Sequence, residues 1–212
     1  MKERVERNGR VEHKEHKELG EPWPKAKLGE IAEVQLGKML DKAKNTGEPY
    51  PYLANVSVQW GRFDLTDLRT TLFTEKEVEK FSLKRGDILM CEGGVPGRCA
   101  IWREDNSPIK YQKALHRIRL YKDLPEYVAL FFESIQGDVD FERLFTGATI
   151  KHLPRERLIE IEIPLPPLAV QRLIVSRLEE VAGRRARIVA LADEGAAAAA
   201  DLRKAILKEA FE

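Results

Sequence analysis

Between Lys110 and Lys122 the chain reads KYQKALHRIRLYK, with five Lys or Arg residues, one His, two Tyr and one Gln, and no carboxylate. Lysine and arginine supply cations for phosphate oxygens, and a glutamine amide offers the paired donor and acceptor that fit a base edge. The chemistry on offer is non-covalent recognition of a nucleic acid. On a strand, alternate residues face opposite sides, so about three of these side chains would meet one ligand together. Lys38, Lys42 and Lys44 form a second basic cluster, and Lys151, His152, Arg155 and Arg157 a third. Each cluster, taken alone, reads first as a solvated face.

Groups that make or break covalent bonds are not arranged to do so. There is no GxSxG elbow, no GxxxxGK[ST] phosphate loop and no GxGxxG after a strand. Gly93-Gly94 with Gly97 lacks the lysine and the helix start that would cradle a phosphate, so it reads as a hairpin loop. Glu160 and Glu162 lack the neighbouring lysine of a Mg²⁺-dependent PD-(D/E)xK nuclease, and the Asn/Asp-Pro-Pro-aromatic motif of adenine methyltransferases is missing. His13 and His16 stand three apart without a further ligand, and Cys91 and Cys99 are too far apart for a CxxC pair, so no metal is expected. The cysteines read as buried free thiols. These observations predict a chain with no catalytic residues and no cofactor of its own.

The elements that must position the basic clusters follow from composition and periodicity. With 212 residues, 43% of them apolar, the chain is long enough for one full-sized domain and an appendage. Basic and acidic residues number 36 and 35, a formal net charge of +1. The balance holds piecewise, with six against six over 1–21, 22 against 22 over 22–167, and eight against seven over 168–212. Nucleic-acid recognition must therefore rest on local clusters rather than on the total. No uncharged stretch approaches the roughly 18 residues that cross a bilayer, and the charged N-terminus is unlike a signal peptide. A cytoplasmic location is expected.

Three regions differ in texture. Residues 1–21, MKERVERNGRVEHKEHKELGE, are too polar to repay their ordering entropy and predict a mobile tail or frayed helix. Residues 22–167 read as a mixed α+β domain of short segments punctuated by Gly and Pro. Leu28 to Leu36 predicts a helical turn leading into a strand, Lys38 to Pro51 a polar connection, and Tyr52 to Val58 a strand followed by a turn at Trp60-Gly61-Arg62. Gly86-Asp87 marks a turn before Ile88-Leu89-Met90, the Gly93–Gly97 loop follows, and Cys99 to Trp102 resumes an extended run. Ala114 to Leu120 alternates like a strand. Tyr127, Leu130, Phe131 and Ile135 fit a helix opened by Pro125, and Phe141, Leu144 and Phe145 another. Ile159, Ile161 and Ile163 alternate with glutamates in a short strand ended by prolines.

After Pro164-Leu165-Pro166-Pro167 no further proline occurs, and residues 168–212 read as one long helix, about 60–65 Å at 1.5 Å per residue. Steps of three and four from Leu178 give Val181, Arg185, Ile188, Ala192, Gly195, Ala199, Leu202 and Ile206, a coiled-coil seam broken only by Arg185 and Gly195. The Ala196 to Ala200 run lets two backbones approach closely, while Gly195 argues for a crowded position or a local break.

Several motifs recur in a telling order. Trp23-Pro24 precedes Leu28-Gly29-Glu30-Ile31; YPYLANVSVQWGRFD spans 50–64; Gly86-Asp87-Ile88-Leu89 precedes Gly97-Arg98-Cys99-Ala100-Ile101. The most specific run is GATIKHLPRERLIEIEIPLPPLAVQRLIVSRLEEV from Gly147 to Val181, and LRKAILKEAF stands near the end. In this order, over about residues 23–212, the pieces resemble the specificity subunits of type I restriction-modification systems. The resemblance implies a target recognition domain reading one half of a split DNA site, with helices whose coiled coil holds a second such domain at fixed distance. It implies methyltransferase subunits as partners, restriction subunits as further partners, and S-adenosylmethionine bound to the methyltransferases rather than to this chain. The family carries two such units in tandem, whereas this sequence has one, which leaves a fragment or a dimer. A two-fold homodimer with antiparallel C-terminal helices would restore two domains and make the target an interrupted palindrome.

On this reading the candidate DNA contacts lie in loops: Lys38, Lys42, Lys44, Trp60, Arg62, Arg98, Lys110, Gln112, Lys113, Thr149 and Lys151, with phosphate contacts outnumbering base contacts. Gly147 is expected to be structural. Candidate dimer contacts are Leu178, Val181, Arg185, Ile188, Ala192, Ala199, Leu202 and Ile206, with Arg185 paired across the axis to an acid such as Asp193. Two rival readings remain, a coiled-coil adaptor whose globular domain binds protein, and a regulatory partner of a full-length specificity subunit.

Overall fold

The computed structural model describes residues 22–41 and 43–211. The expected tail, with His13 and His16, and Lys42 lie outside the described residues. Two compact units divide the chain, one ending at Gln171 and the other beginning at Arg172.

The first unit opens with strand β1 (Lys25–Lys27), which pairs antiparallel with its last strand, β11 (Glu162–Pro164), placing Ala26 opposite Ile163. The expected helical turn and strand follow as α1 (Leu28–Ile31) and β2 (Ala32–Leu36). Leu28 and Ile31 of α1 are buried, and the Leu28 and Gly29 amides donate to the Ile161 and Ile159 carbonyls, so this turn is bound to the last part of the domain.

A four-stranded antiparallel sheet in the order β2, β10 (Leu115–Leu120), β7 (Ile88–Cys91), β8 (Cys99–Ile101) forms the centre. The β7–β8 hairpin is closed by the Gly93–Gly97 loop the sequence marks. Helix α3 (Pro125–Ser134), opened by its N-terminal proline, lies against β8 and buries Tyr127, Val128 and Phe132. Both faces of β10 are covered, with Leu115, His116, Arg117 and Ile118 all buried. Alternation there separates two interior faces rather than a core from solvent.

The second sheet, β6 (Arg69–Phe73), β3 (Glu48–Leu53), β9 (Lys110–Tyr111), corrects two expectations. Residues 48–51 belong to a strand although they contain Pro49 and Pro51. Here β3 pairs with β6 along its length, while β9 meets only Tyr52 and Leu53, so the prolines sit where one edge is open. The strand expected over Tyr52 to Val58 stops at Leu53. A 3₁₀ turn, Asn55–Ser57, replaces it, held by the Ala54 amide donating to Ser57 Oγ at 3.2 Å. The hairpin of β4 (Val58–Gln59) and β5 (Arg62–Phe63) then turns on Trp60-Gly61, with Gly61 at φ +67°. Helix α2 (Glu75–Lys80) starts at Thr74, whose amide donates to Glu77 at 2.9 Å.

The core joins the two sheets through Tyr52, Leu53, Phe73, Phe81, Leu89, Cys91, Trp102, Tyr111 and Leu115. Phe63 meets Trp102 edge-to-face at 5.1 Å, and Phe81 meets Tyr111 likewise at 5.7 Å. Cys91 and Cys99 are buried free thiols, as read from the sequence. Past α4 (Val139–Glu142) a helical turn, α5 (Arg155–Leu158), ends just before the isoleucine-rich segment, where Ile159 and Ile161 lie outside any strand and only Ile163 is extended, in β11.

Helix α6 (Leu168–Phe211) contains 44 residues, about 66 Å of helix, and runs unbroken through Gly195. Apart from its first turns, its apolar residues are exposed. Among the described residues no helix is long and apolar enough to cross a membrane.

Candidate nucleic-acid interface

Five loops of the first unit are tied together, four through backbone bonds and the fifth through an arginine side chain. The Lys113 amide donates to the Lys38 carbonyl at 2.6 Å, joining the 37–45 loop to the turn between β9 and β10. The Glu92 amide donates to the Ala114 carbonyl at 2.8 Å, and the Leu153 amide to the Glu92 carbonyl at 2.7 Å, bringing in the 92–98 and 146–152 loops. Arg98 Nη2 donates to the Asn55 carbonyl at 3.0 Å and adds the 55–62 segment. Backbone geometry fixes these junctions. A Cβ on Gly37 would stand 2.2 Å from the Gln112 carbonyl oxygen, and Ala114 holds φ +93°, where a side chain is strained.

The 146–152 loop is closed by paired bonds, Thr146 N–H to the His152 carbonyl at 2.7 Å and His152 N–H to the Thr146 carbonyl at 2.8 Å. Gly147 is structural, as expected, because its φ is +93° and a Cβ would stand 2.2 Å from the Ile150 carbonyl oxygen. Beneath the loop, buried His116 places Nε2 2.9 Å from the Leu153 carbonyl, so Nε2 carries the proton and Nδ1 is bare. Burial pushes His116 below the usual histidine range, and the Leu153 bond and Glu92 pull the other way without cancelling it.

The predicted contacts separate into two groups. Lys44, Arg62, Lys113, Thr149 and Lys151 are exposed, and Trp60 and Gln112 are half-buried on the same loops. Lys151 pairs with Glu142 at 2.9 Å and Lys44 with Asp41 at 3.5 Å, exposed pairs that a phosphate can displace at little cost. Lys38, Lys110 and Arg98 take packing roles instead. Lys38 is 5% exposed, bonds Glu77 at 2.6 Å and lies over the Phe73 ring. Desolvation would raise Glu77, but the bonds from Lys38 and Thr74 outweigh it and hold the carboxyl below its usual range. Lys110 is 4% exposed with its ammonium 5.2 Å from the Tyr50 ring centroid, and burial lowers its pKa. Arg98 is half-buried and ties two loops together.

The basic run from Lys110 to Lys122 is likewise turned inward. Arg117 is 3% exposed, bonding Glu33 at 2.6 Å and the Lys80 and Ser82 carbonyls, and Arg119 grips Asp87. Of the cations expected to act together, Lys113 at one end and Lys122 at the other stay exposed. Arg155 and Arg157 of the third cluster donate to backbone carbonyls of Val34, Arg143 and Leu144. No group of three or more His, Cys, Asp or Glu side chains able to hold a metal occurs among the described residues.

In the helical unit, Leu178, Val181, Arg185, Ile188, Ala192, Ala199, Leu202 and Ile206 are all exposed. Val189, Leu191, Leu207 and Phe211 are exposed too, which makes the apolar stripe wider than the predicted seam. Sequence reasoning missed these because it followed one residue in each three or four.

A sequence model of the type I restriction modification DNA specificity domain matches residues 20–188. The chain belongs to that family. It is 28% identical over 188 residues to the type I restriction enzyme EcoKI specificity subunit of Escherichia coli K12, a match covering 85% of this chain and 40% of that one. Solved type I specificity subunits share the fold. The S subunit from M. genitalium superposes with a TM-score of 0.52 at 21% identity, over 76% of this chain and 39% of that one. The HsdS subunit from Thermoanaerobacter tengcongensis gives 0.58 at 17% identity, over 87% and 46%. This specificity-domain chain thus matches less than half the length of each of these relatives. The motif order noted in the sequence is what the family match covers, up to the first half of the long helix.

Proposed function

We propose that this chain is the DNA-recognition subunit of a type I restriction-modification system, reading one half of a bipartite site and docking methyltransferase subunits. The match of residues 20–188 to the specificity-domain family carries the reading. The joined loops give it a surface, with Lys44, Arg62, Lys113 and Lys151 meeting phosphates and Trp60, Gln112 and Thr149 meeting bases. The chain does no chemistry itself. Methylation belongs to the partner subunits, which bind S-adenosylmethionine, and restriction subunits join the same complex in the cytoplasm.

We further propose that two copies associate through antiparallel α6 helices. The exposed apolar stripe from Leu178 to Ile206 supports this, since about 1.5–3 kcal/mol is gained for each large side chain it buries. Two-fold symmetry then sets two recognition domains on an interrupted palindrome.

The test is the salt dependence of binding to a duplex pool by the chain assembled with its methyltransferase subunits. A logarithmic slope of several units, about 0.9 for each phosphate contacted, is expected. Binding of proteins but no DNA would support a coiled-coil adaptor instead. Preferential pairing with a full-length specificity subunit would support a regulatory partner.

A further inference from the structure

Three adjoining loops of the candidate interface each present a branched apolar side chain to solvent. Val56, Val95 and Ile150 are 69%, 40% and 60% exposed. Single exposed apolar residues are ordinary. These differ in how firmly their backbones are held. The Val56 amide donates to Asn55 Oδ1 at 3.0 Å and its carbonyl accepts from Gln59 Nε2 at 2.9 Å. The Val95 amide donates to the Gly93 carbonyl at 3.1 Å, and its own carbonyl accepts from the Arg98 amide at 3.2 Å. Ile150 lies in the loop closed by Thr146 and His152, over the close approach at Gly147.

The loops also touch one another. Arg98 donates to the Asn55 carbonyl, Gly93 bridges His152, and a Cβ on Gly94 would stand 2.9 Å from Asn55 Nδ2. Valine and isoleucine have few rotamers, so little side-chain entropy is lost when they are covered. The same loops carry the exposed cations Arg62 and Lys151. Exposed apolar side chains with cations on the same loops suit a ligand that is anionic at its margin and apolar at a point inside. On a duplex that point is the C5-methyl group of thymine in the major groove.

We infer that Val56, Val95 and Ile150 read thymine methyl groups, an inference that rests on the DNA-recognition reading above. The half-site these loops contact then contains at least one T·A pair, and removing its methyl weakens binding about fourfold, the effect of one buried carbon.

The experiment uses the chain assembled with its methyltransferase subunits and a half-site enriched from random duplexes. Each thymine is replaced in turn by deoxyuridine, and the same duplexes are bound to Val56→Ser, Val95→Ser and Ile150→Ser. Expected is about a fourfold loss at one or more positions for the unaltered chain, restored by 5-bromodeoxyuridine. One of the variants should bind the thymine and deoxyuridine duplexes equally. Equal binding of both duplexes at every position by the unaltered chain overturns the inference, as does an enriched half-site without T·A or discrimination that survives in all three variants. In those cases DNA binding itself persists, whereas absence of any DNA binding removes the recognition reading and the inference with it.

Discussion

Arg119 holds Asp87 with two parallel hydrogen bonds, Nε to Oδ1 and Nη2 to Oδ2, both 2.7 Å, while the carboxylate also accepts the Lys84 amide at 2.8 Å. Asp87 is buried, so removing it strands a guanidinium and an amide without their acceptor. Asp87→Ala should lose about 3–5 kcal/mol in urea unfolding. DNA affinity measured where the variant is still folded should be unchanged, because the pair holds the turn before β7 and touches no loop of the interface. A loss below about 1 kcal/mol would show that water replaces the carboxylate.

That pair also explains which parts of the molecule were legible in the sequence. Local punctuation was readable: Trp60-Gly61 made the hairpin turn, Pro125 opened α3, and Pro164 to Pro167 preceded the long helix. Such signals depend on the backbone conformation of a few neighbours. Orientation was not readable. Arg117 and Arg119 sit in a run without carboxylates, but their partners Glu33 and Asp87 lie 84 and 32 residues away. Lys38 meets Glu77 from 39 residues away. A basic cluster therefore looks free in sequence until the fold brings its acids to it. Pro49 and Pro51 misled in the same way, because a proline-bearing strand is allowed only where one edge is open, and that is set by strand order.

His116 makes stability depend on pH. Its folded-state pKa lies below the ordinary value, so the unfolded chain takes up a proton first as pH falls through about 6.5. The stabilisation is complete above that pH and declines below it. Urea unfolding at pH 7.5 and 5.5 should show a larger loss for the unaltered chain than for His116→Gln. Equal losses would mean that His116 does not bind protons differently in the two states.

The 146–152 loop should separate shape from charge. Lys151→Ala gives up an exposed pair with Glu142 and should leave stability within about 0.5 kcal/mol, while weakening all duplexes alike and lowering the salt slope by about one. Gly147→Ala forces the loop open and should reduce affinity for the preferred duplex more than for random DNA. Titrations of both variants against specific and random duplexes would check this. An unchanged salt slope in Lys151→Ala would remove Lys151 from the interface.

Light scattering tests the helical stripe. The chain should have a mass near twice 24.2 kDa. Leu178→Glu, Ile188→Glu and Leu202→Glu should each shift it toward monomer, since a buried unpaired charge opposes association. A monomer for the unaltered chain would contradict the homodimer and assign the helix to a different partner.

The most direct measurement is enrichment of binding sites from a random duplex library by the chain assembled with its methyltransferase subunits, read by sequencing. Two copies of one short half-site, inverted about a spacer of fixed length, are expected, because two identical domains are related by a two-fold axis. A single uninterrupted site, two different half-sites or no enrichment would contradict recognition by a two-fold dimer.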